Sequence, residues 1–238
     1  MRREKFEKTG ILEFDYLLGG LPSGSLIVLR GSPDSGFNVF AQQVMLFRAK
    51  DGNKVVYFTV DKPVDDVRSE MLSYNWDTTE LEREGKWIFV DAYSHRRDTK
   101  RKYRSDIMPL DFLANRLIEE LGEAQGSSSV IDTLSYYLLF YDLKDVLEVL
   151  EDIRTFVREA GGIHFLLVVG GLHDKKTTSA LAHFTDGFLD FKLNLEDPES
   201  PGLLRIRKLR GVPAGIKPLS YRIGRGEGIT IETSIRII

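Results

Sequence analysis

Two glycines five residues apart mark the stretch where this chain has the spacing to hold a phosphate. Gly31 and Gly36 fit the phosphate-binding loop G-x-x-x-x-G-K-[ST], in which backbone amides, a lysine and a hydroxyl hold a triphosphate and its Mg²⁺. The next two positions depart from that pattern, because Phe37 replaces the lysine and Asn38 replaces the Ser or Thr. The stretch therefore has the frame of the loop without the two side chains that carry its chemistry.

The residues inside the loop also argue against a bound triphosphate. Ser32, Asp34 and Ser35 complete the candidate site, and Asp34 adds a negative charge to it. Two like charges about 5 Å apart repel by about 3 kcal/mol at an effective dielectric of about 20. Amides at a helix N-terminus favour an anion by only about 0.3–1 kcal/mol. We therefore expect no cofactor, and only weak binding of ATP with Mg²⁺.

Strands and helices must position these residues. The apolar run SLIVLR, starting at Ser25, predicts a buried strand before the loop, and VFAQQVMLFRAK predicts an amphipathic helix after it. Phe37 heads the apolar stripe of that helix, where we expect its ring to cover the phosphate position. Further apolar runs predict strands that begin at Lys54, Trp87, Val130 and Ile163, and an alternating pattern after Pro198 predicts antiparallel strands.

Composition excludes several classes of function. The 238 residues contain no cysteine and only four histidines, so disulfides, thiolate sites and zinc chemistry are not expected. The chain has no apolar run of the ~20 residues that a membrane span needs, and its polar N-terminus lacks the apolar core of a signal peptide. With 42% hydrophobic and 29% charged residues, the composition predicts a cytoplasmic protein without a membrane partner.

The stretch from Thr9 to Pro33, TGILEFDYLLGGLPSGSLIVLRGSP, resembles the opening of the KaiC/RecA-like ATPase family. The resemblance continues to a C-terminal K-L-R-G motif at residues 208–211 and covers almost the whole chain. It implies an α/β fold with a mostly parallel RecA-like sheet, helices on both faces and C-terminal antiparallel strands. One domain over 1–238 is expected, with a lead-in (1–24), an α/β core (25–197) and the antiparallel strands (198–238).

The resemblance also identifies what the other parts of a nucleotide site have become. The family's water-activating acidic pair corresponds to Asp61 and Lys62, so a lysine stands where a carboxylate is needed. Asp132 matches the Walker B aspartate. The alternative role for Asp132 is that of a polar residue at the end of a strand, which only caps a turn. Glycines at 170–171 replace a polar sensor of the γ-phosphate. Asp61 has an alternative role, which we favour: it would cap a helix that starts near Pro63.

Lys62 is the one cation near this set of acids. Without a P-loop lysine, the site would crowd together the carboxylates of Asp34, Asp61 and Asp132, and such crowding is costly unless the charges are paired. We expect the Lys62 ammonium to turn toward Asp132 or Asp34 and to stand in for the missing cation. The alternative is that Lys62 points into solvent, as most lysines do.

Two further sets of basic residues have candidate roles. The resemblance implies that Lys208 and Arg210 reach into the nucleotide site of a neighbouring subunit, although the exposed face of an alternating strand would also explain them. A second set could contact nucleic-acid phosphates, with a solvated loop as the favoured alternative. This set comprises Arg96, Arg97, Lys100, Arg101, Lys102 and Arg104.

Four altered parts of the ATPase machinery lead to one main hypothesis. We interpret the chain as a catalytically inactive KaiC/RecA-like paralogue that acts as an interaction or regulatory protein, in a homo-oligomer or beside an active relative. The first alternative is an ATP-binding protein with slow or no hydrolysis, in which Lys62 replaces the missing lysine. The second is a DNA-binding recombination accessory that uses the basic residues between 96 and 104.

Overall fold

A computed structural model describes residues 4–94, 109–122, 124–193 and 200–232. In these ranges a nine-stranded sheet forms the centre of the molecule, and a two-stranded sheet lies near the N-terminus. The strands are β1 (Phe6–Glu7), β2 (Leu21–Pro22), β3 (Ser25–Gly31), β4 (Val55–Thr59), β5 (Trp87–Asp91), β6 (Ser128–Asp132), β7 (Ile163–Val169), β8 (Gly187–Lys192), β9 (Gly202–Leu209), β10 (Leu219–Gly224) and β11 (Gly228–Glu232).

The order of strands across the large sheet is β11-β10-β9-β8-β3-β7-β6-β4-β5. Every pair from β8 to β5 is parallel, whereas β8–β9, β9–β10 and β10–β11 are antiparallel. This arrangement confirms the predicted fold class. Because β3, β4, β6 and β7 run in the same direction, the loops that follow them meet at one edge of the sheet, which we call the carboxyl edge.

Helices cover both faces of the sheet, as predicted. They are α1 (Leu12–Leu18), α2 (Phe37–Lys50), α3 (Val64–Ser73), α4 (Thr79–Arg83), α5 (Leu110–Leu121), α6 (Leu134–Phe140), α7 (Leu143–Ala160) and α8 (Lys175–Phe184). Alternate residues of β3 belong to different hydrophobic clusters: Ile27 and Leu29 pack with α1 and α2, and Leu26 and Val28 pack with α5 and α7. A strand that is buried on both sides explains why the sequence around Ser25 is continuously apolar.

The outer strand β11 is tied to helix α2 by one side chain. Gln43 accepts a hydrogen bond from the Ile229 backbone N–H (2.7 Å) and donates one to the Ile229 carbonyl (3.1 Å). Gly228 lies close to Trp76 at the start of the strand, where a Cβ would come within 2.5 Å of the indole ring. These contacts fix the antiparallel part of the sheet against α2, the helix that follows the candidate loop.

The described helices include none that is both long and apolar enough to cross a membrane.

Candidate functional site

The loop after β3 folds back on itself. Residues Pro33–Ser35 form a single 3₁₀ turn. The Ser35 N–H donates to the Ser32 carbonyl (2.9 Å), and the Ser35 hydroxyl donates to the same oxygen (2.7 Å). Tyr221 of β10 donates its hydroxyl to the Ser35 carbonyl (2.6 Å). A backbone amide that a phosphate-binding loop would offer to its ligand is therefore used inside the loop.

The two glycines that frame the loop are required by its close packing. A Cβ at Gly31 would lie 2.0 Å from Ser35 Oγ and 3.1 Å from Phe37 Cδ1. Gly36 has a φ of 73°, in the left-handed region that favours glycine. Phe37 is 4% exposed and belongs to the hydrophobic core. Phe37, Phe40 and Val44 all lie in this core, as the predicted apolar stripe requires. That the Phe37 ring covers the phosphate position stays a prediction.

Asn38 and Gln42 point their amides at one carboxylate. The Asn38 amide donates to Glu70 Oε1, and Gln42 Nε2 donates to Glu70 Oε2 over 3.1 Å. Asn38 and Gln42 are four residues apart on α2 and so share one face of the helix, whereas Glu70 lies on α3. The position that would carry the metal-binding hydroxyl is thus occupied by an amide that binds an acid of the same chain.

Lys62 and Asp132 form an ion pair at the carboxyl edge of the sheet. Lys62 Nζ lies 3.0 Å from Asp132 Oδ2 and 3.5 Å from Glu70 Oε2. Tyr57 of β4 donates its hydroxyl to the same Asp132 oxygen over 2.8 Å. This confirms the expected contact between Lys62 and Asp132.

These contacts also shift proton affinities. Burial lowers the pKa of Lys62, but the carboxylates of Asp132 and Glu70 outweigh it and raise that pKa above its usual value. Burial and the Asp132 charge raise the pKa of Tyr57 well above its usual value. Lys62 is therefore an ammonium and Tyr57 a neutral phenol at neutral pH.

Asp61 does not cap a helix, so the favoured role for it is wrong. The N-cap of α3 is Pro63, which makes no side-chain cap hydrogen bond. Asp61 Oδ2 instead accepts a hydrogen bond from the Thr133 hydroxyl over 3.1 Å. Desolvation and the nearby Asp132 carboxylate raise the pKa of Asp61, although Lys62 and Thr133 oppose that rise. Pro63 has no backbone N–H that could donate to an Asp61 cap. The Asp61 side chain turns instead toward Thr133, just after the end of β6.

Asp34 lies apart from Asp61 and Asp132, since its charge acts on neither Asp61 nor Lys62. Its side chain is exposed in the 3₁₀ turn, so the expected crowding of Asp34 with Asp61 and Asp132 is wrong. Water solvates the Asp34 carboxylate and removes the need for a partner. The acid that accompanies Asp132 near Lys62 is Glu70, which the sequence pattern did not single out.

A histidine, His173, follows β7 and the two glycines that replace the family's polar sensor. The Gly170 N–H donates to the Gly31 carbonyl (2.7 Å). His173 Nε2 lies 2.8 Å from Ser135 Oγ, and that hydroxyl oxygen also accepts the Val169 N–H. Burial lowers the pKa of His173. A neutral imidazole hydrogen-bonded to a buried serine fits a structural histidine.

Lys208 and Arg210 bind groups of their own chain. The Lys208 ammonium donates to the carbonyls of Ala182, His183 and Thr185 at the end of α8, over 2.6–3.0 Å. Arg210 donates to the Ser23 carbonyl over 2.6 Å and pairs with Glu4 and Asp186. In the register of β8 and β9, Lys208 lies beside Phe188, near the start of β8. This edge of the sheet is opposite the carboxyl edge, where Asp132 lies. Their role at a neighbouring subunit stays a prediction.

The basic residues Arg96, Arg97, Lys100, Arg101, Lys102 and Arg104 lie outside the described residues. The structure adds four side chains to those expected around Asp132, namely Gln42, Tyr57, Glu70 and Thr133. Thr133 directly follows Asp132, and Gln42 is one helical turn after Asn38, so spacing alone could have identified these two. Tyr57 and Glu70 carry no such signal.

Comparisons with known proteins agree with this architecture. A family model described as "ATPase: KaiC" matches residues 7–235. The circadian clock protein KaiC3 of Synechocystis is 33% identical over 162 residues, which are 66% of this chain and 31% of KaiC3. A UPF0273 protein of Thermotoga maritima is 27% identical over 95% of this chain and 96% of its own length. This chain thus spans about a third of KaiC3 but nearly all of the Thermotoga protein.

A solved structure has the same fold. The crystal structure of a KaiC-like protein from Pyrococcus horikoshii aligns with a TM-score of 0.76 at 25% identity, over 97% of this chain and 100% of that protein. The family model and this crystal structure both match the chain from the N-terminal lead-in to the C-terminal antiparallel strands. On this evidence the chain belongs to the KaiC family of RecA-like ATPase proteins.

Proposed function

We propose that this chain is a KaiC-family protein that does not hydrolyse ATP and that acts as an interaction or regulatory protein. The observation that carries the proposal is the closed loop after β3, in which the Ser35 amide and hydroxyl both bind the Ser32 carbonyl. A triphosphate in the family's usual position would need those donors turned toward it.

The other parts of the site support the same proposal. Phe37 is packed in the core, the Asn38 amide is bound to Glu70, and the Lys62 ammonium is bound to Asp132. An active site would need a cation on the β- and γ-phosphates, a hydroxyl on Mg²⁺ and a free Walker B carboxylate. The residues present therefore do not fit a Mg²⁺–triphosphate complex, and we derive no catalytic step through one.

The proposed interaction role includes assembly with a second copy or with an active relative. Lys208 and Arg210 lie at the sheet edge opposite Asp132, so they could reach another subunit's site only if subunits stack head to tail. Affinity capture from the source cells, with size-exclusion chromatography and light scattering, would test for a protein partner and for a homo-oligomer.

Calorimetric titration with Mg²⁺–ATP and a phosphate-release assay test the central claim. We expect no hydrolysis and only weak binding of ATP. Steady turnover that disappears in Asp132→Ala would contradict the proposal. Tight ATP binding without turnover would favour the alternative of an ATP-binding protein.

Partial reconstruction of the loop provides a matched variant. Asp34→Gly removes a negative charge, Phe37→Lys restores a cation, and Asn38→Thr restores the hydroxyl. We expect the triple variant to bind ATP more tightly than wild type, with some loss of stability because Phe37 leaves the core. Equal ATP affinities of the two proteins would refute the role we assign to these three residues.

A further inference from the structure

The Lys62 ammonium lies between acids from two different elements. It is 3.0 Å from Asp132 Oδ2, at the end of β6, and 3.5 Å from Glu70 Oε2, on α3. The Asp132 side chain is 2% exposed, and those of Lys62 and Glu70 are 27% and 29% exposed. A lysine held in this way differs from an exposed surface lysine, whose ion pairs contribute little.

We infer that the Lys62 ammonium is the built-in cation of this site and takes the place that a divalent cation would otherwise occupy between Asp132 and Glu70. The inference deepens the proposed function, on which it rests for a site closed to Mg²⁺–nucleotide, by identifying the group that fills the cation position. A cation supplied by the chain cannot exchange with solvent. The negative charges of Asp132 and Glu70 are therefore neutralised in part at any metal concentration.

Two carboxylates face this ammonium, and two amides hold one of them, Glu70, in place. Gln42 is fully buried, and its Nε2 binds Glu70. Its Oε1 is buried without a hydrogen-bond partner among the described residues, and the same holds for Asn38 Oδ1. Carboxylate oxygens are ligands that Mg²⁺ and Mn²⁺ prefer. Removal of the ammonium would leave the carboxylates of Asp132 and Glu70 without the cation that now lies between them.

Of the two other ionisable side chains described next, Asp61 adds a negative charge to the site and Tyr57 adds none. Asp61, hydrogen-bonded to Thr133, acts on both Lys62 and Asp132. Tyr57 donates to Asp132 and stays neutral. With Lys62 replaced by a neutral residue, three carboxylates would lack a cation. A divalent ion would then supply the positive charge that the ammonium no longer provides.

Titration with Mn²⁺ alone, followed by electron paramagnetic resonance of the free ion, tests the inference. We expect Lys62→Met to bind one Mn²⁺ about tenfold or more tightly than wild type. Lys62→Arg keeps a cation and should behave like wild type. Lys86→Met is the matched control, because Lys86 pairs only with the exposed Glu84 in the described residues. Adding Asp132→Asn to Lys62→Met should abolish the gain.

Three results would overturn the inference. Wild type could bind Mn²⁺ as tightly as Lys62→Met, the gain could survive Asp132→Asn, or a natively folded Lys62→Met could show no gain. If Lys62→Met does not fold by circular dichroism, Lys62→Gln replaces it under the same criteria. ATP is absent throughout, so hydrolysis by wild type would refute the proposed function without deciding this inference, and the metal titration would refute this inference without deciding hydrolysis.

Discussion

The hydroxyl of Tyr57 donates to Asp132 Oδ2 over 2.8 Å, and both residues are almost completely buried. The bond joins the middle of β4 to the end of β6 and reaches the same oxygen as Lys62. A phenol and an ammonium together therefore stabilise a carboxylate that would otherwise be costly to bury.

Tyr57→Phe removes this hydrogen bond and keeps the ring. Hydrogen bonds to charged groups contribute about 1.5–3 kcal/mol, so we expect the free energy of unfolding at pH 7 to fall by about 2 kcal/mol. Urea unfolding measures the change, with Tyr16→Phe as control because Tyr16 is 81% exposed. An unchanged unfolding free energy for Tyr57→Phe would mean that Asp132 does not depend on this donor.

Lys62→Met should destabilise the protein at pH 7, because Asp132 then loses its ammonium. Removing one partner of a buried pair costs about 3–5 kcal/mol, and the partial exposure of Lys62 reduces our expectation to about 1–3 kcal/mol. Desolvation and the Asp132 charge raise the pKa of Asp61, so protonation of Asp61 as the pH falls removes one charge that Lys62 balances, and the difference should shrink toward pH 4. Equal melting temperatures from pH 4 to 8 would leave Lys62 as an ordinary surface residue.

His164 should make the protein sensitive to acid. The ring is fully buried, its Nδ1 lies 2.9 Å from Ser129 Oγ, and its Nε2 lies 2.8 Å from the Gly161 carbonyl. Burial lowers the pKa of His164 from 6.5 to about 4. A lowered pKa means that the unfolded chain binds the proton more readily, so this contribution to stability is complete above pH 6.5 and is lost as the pH falls toward 4.

The variant His164→Gln does not titrate in that window. Its unfolding free energy, measured with urea at several pH values between 7 and 4, should fall less steeply than that of wild type, by up to about 3 kcal/mol in total. The matched control is His183→Gln, because His183 is exposed. A wild-type profile as flat as that of His164→Gln would show that His164 is not held neutral.

The basic residues between 96 and 104 should contribute little to folding, because charged surface substitutions usually change stability by less than about 0.5 kcal/mol. We expect replacement of Arg97, Lys100, Arg101 and Lys102 by Ser to leave the melting temperature nearly unchanged. The same variant decides the nucleic-acid question in a salt-dependent titration with single-stranded DNA. Micromolar binding by wild type that vanishes in the variant would favour the DNA-binding alternative.

The sequence predicted the elements of the fold well, because each element is indicated by a local pattern of residues. The continuous apolar run of β3, the glycine pair of the loop and the apolar residues of α2, a helix that is buried on most sides, each indicate their element within a few residues. The resemblance across Thr9–Pro33 then indicated the sheet. The structure confirms these elements and the sheet, and the comparisons with known proteins support the fold.

The contacts around Asp132 were harder to predict, because they depend on which face of an element turns inward. Lys62 was identified because it replaces an acid in a recognised pattern. Three acids of α3, at positions 65, 66 and 70, are equally plausible partners in the sequence, and only the packing of α3 selects Glu70. Asp61 was misassigned since a residue two before the N-cap resembles a cap in sequence and differs only in where its side chain turns.

The contact between Gln43 and Ile229 bears on how the protein behaves at high concentration. An outermost strand offers unpaired backbone groups on which another chain can add a strand, which is a common route to aggregation. Here one carboxamide occupies both the N–H and the carbonyl of Ile229. A strand arriving from a second molecule would have to break both bonds at that residue, so edge-to-edge fibre growth is disfavoured at the start of β11 and the protein gains protection against aggregation there.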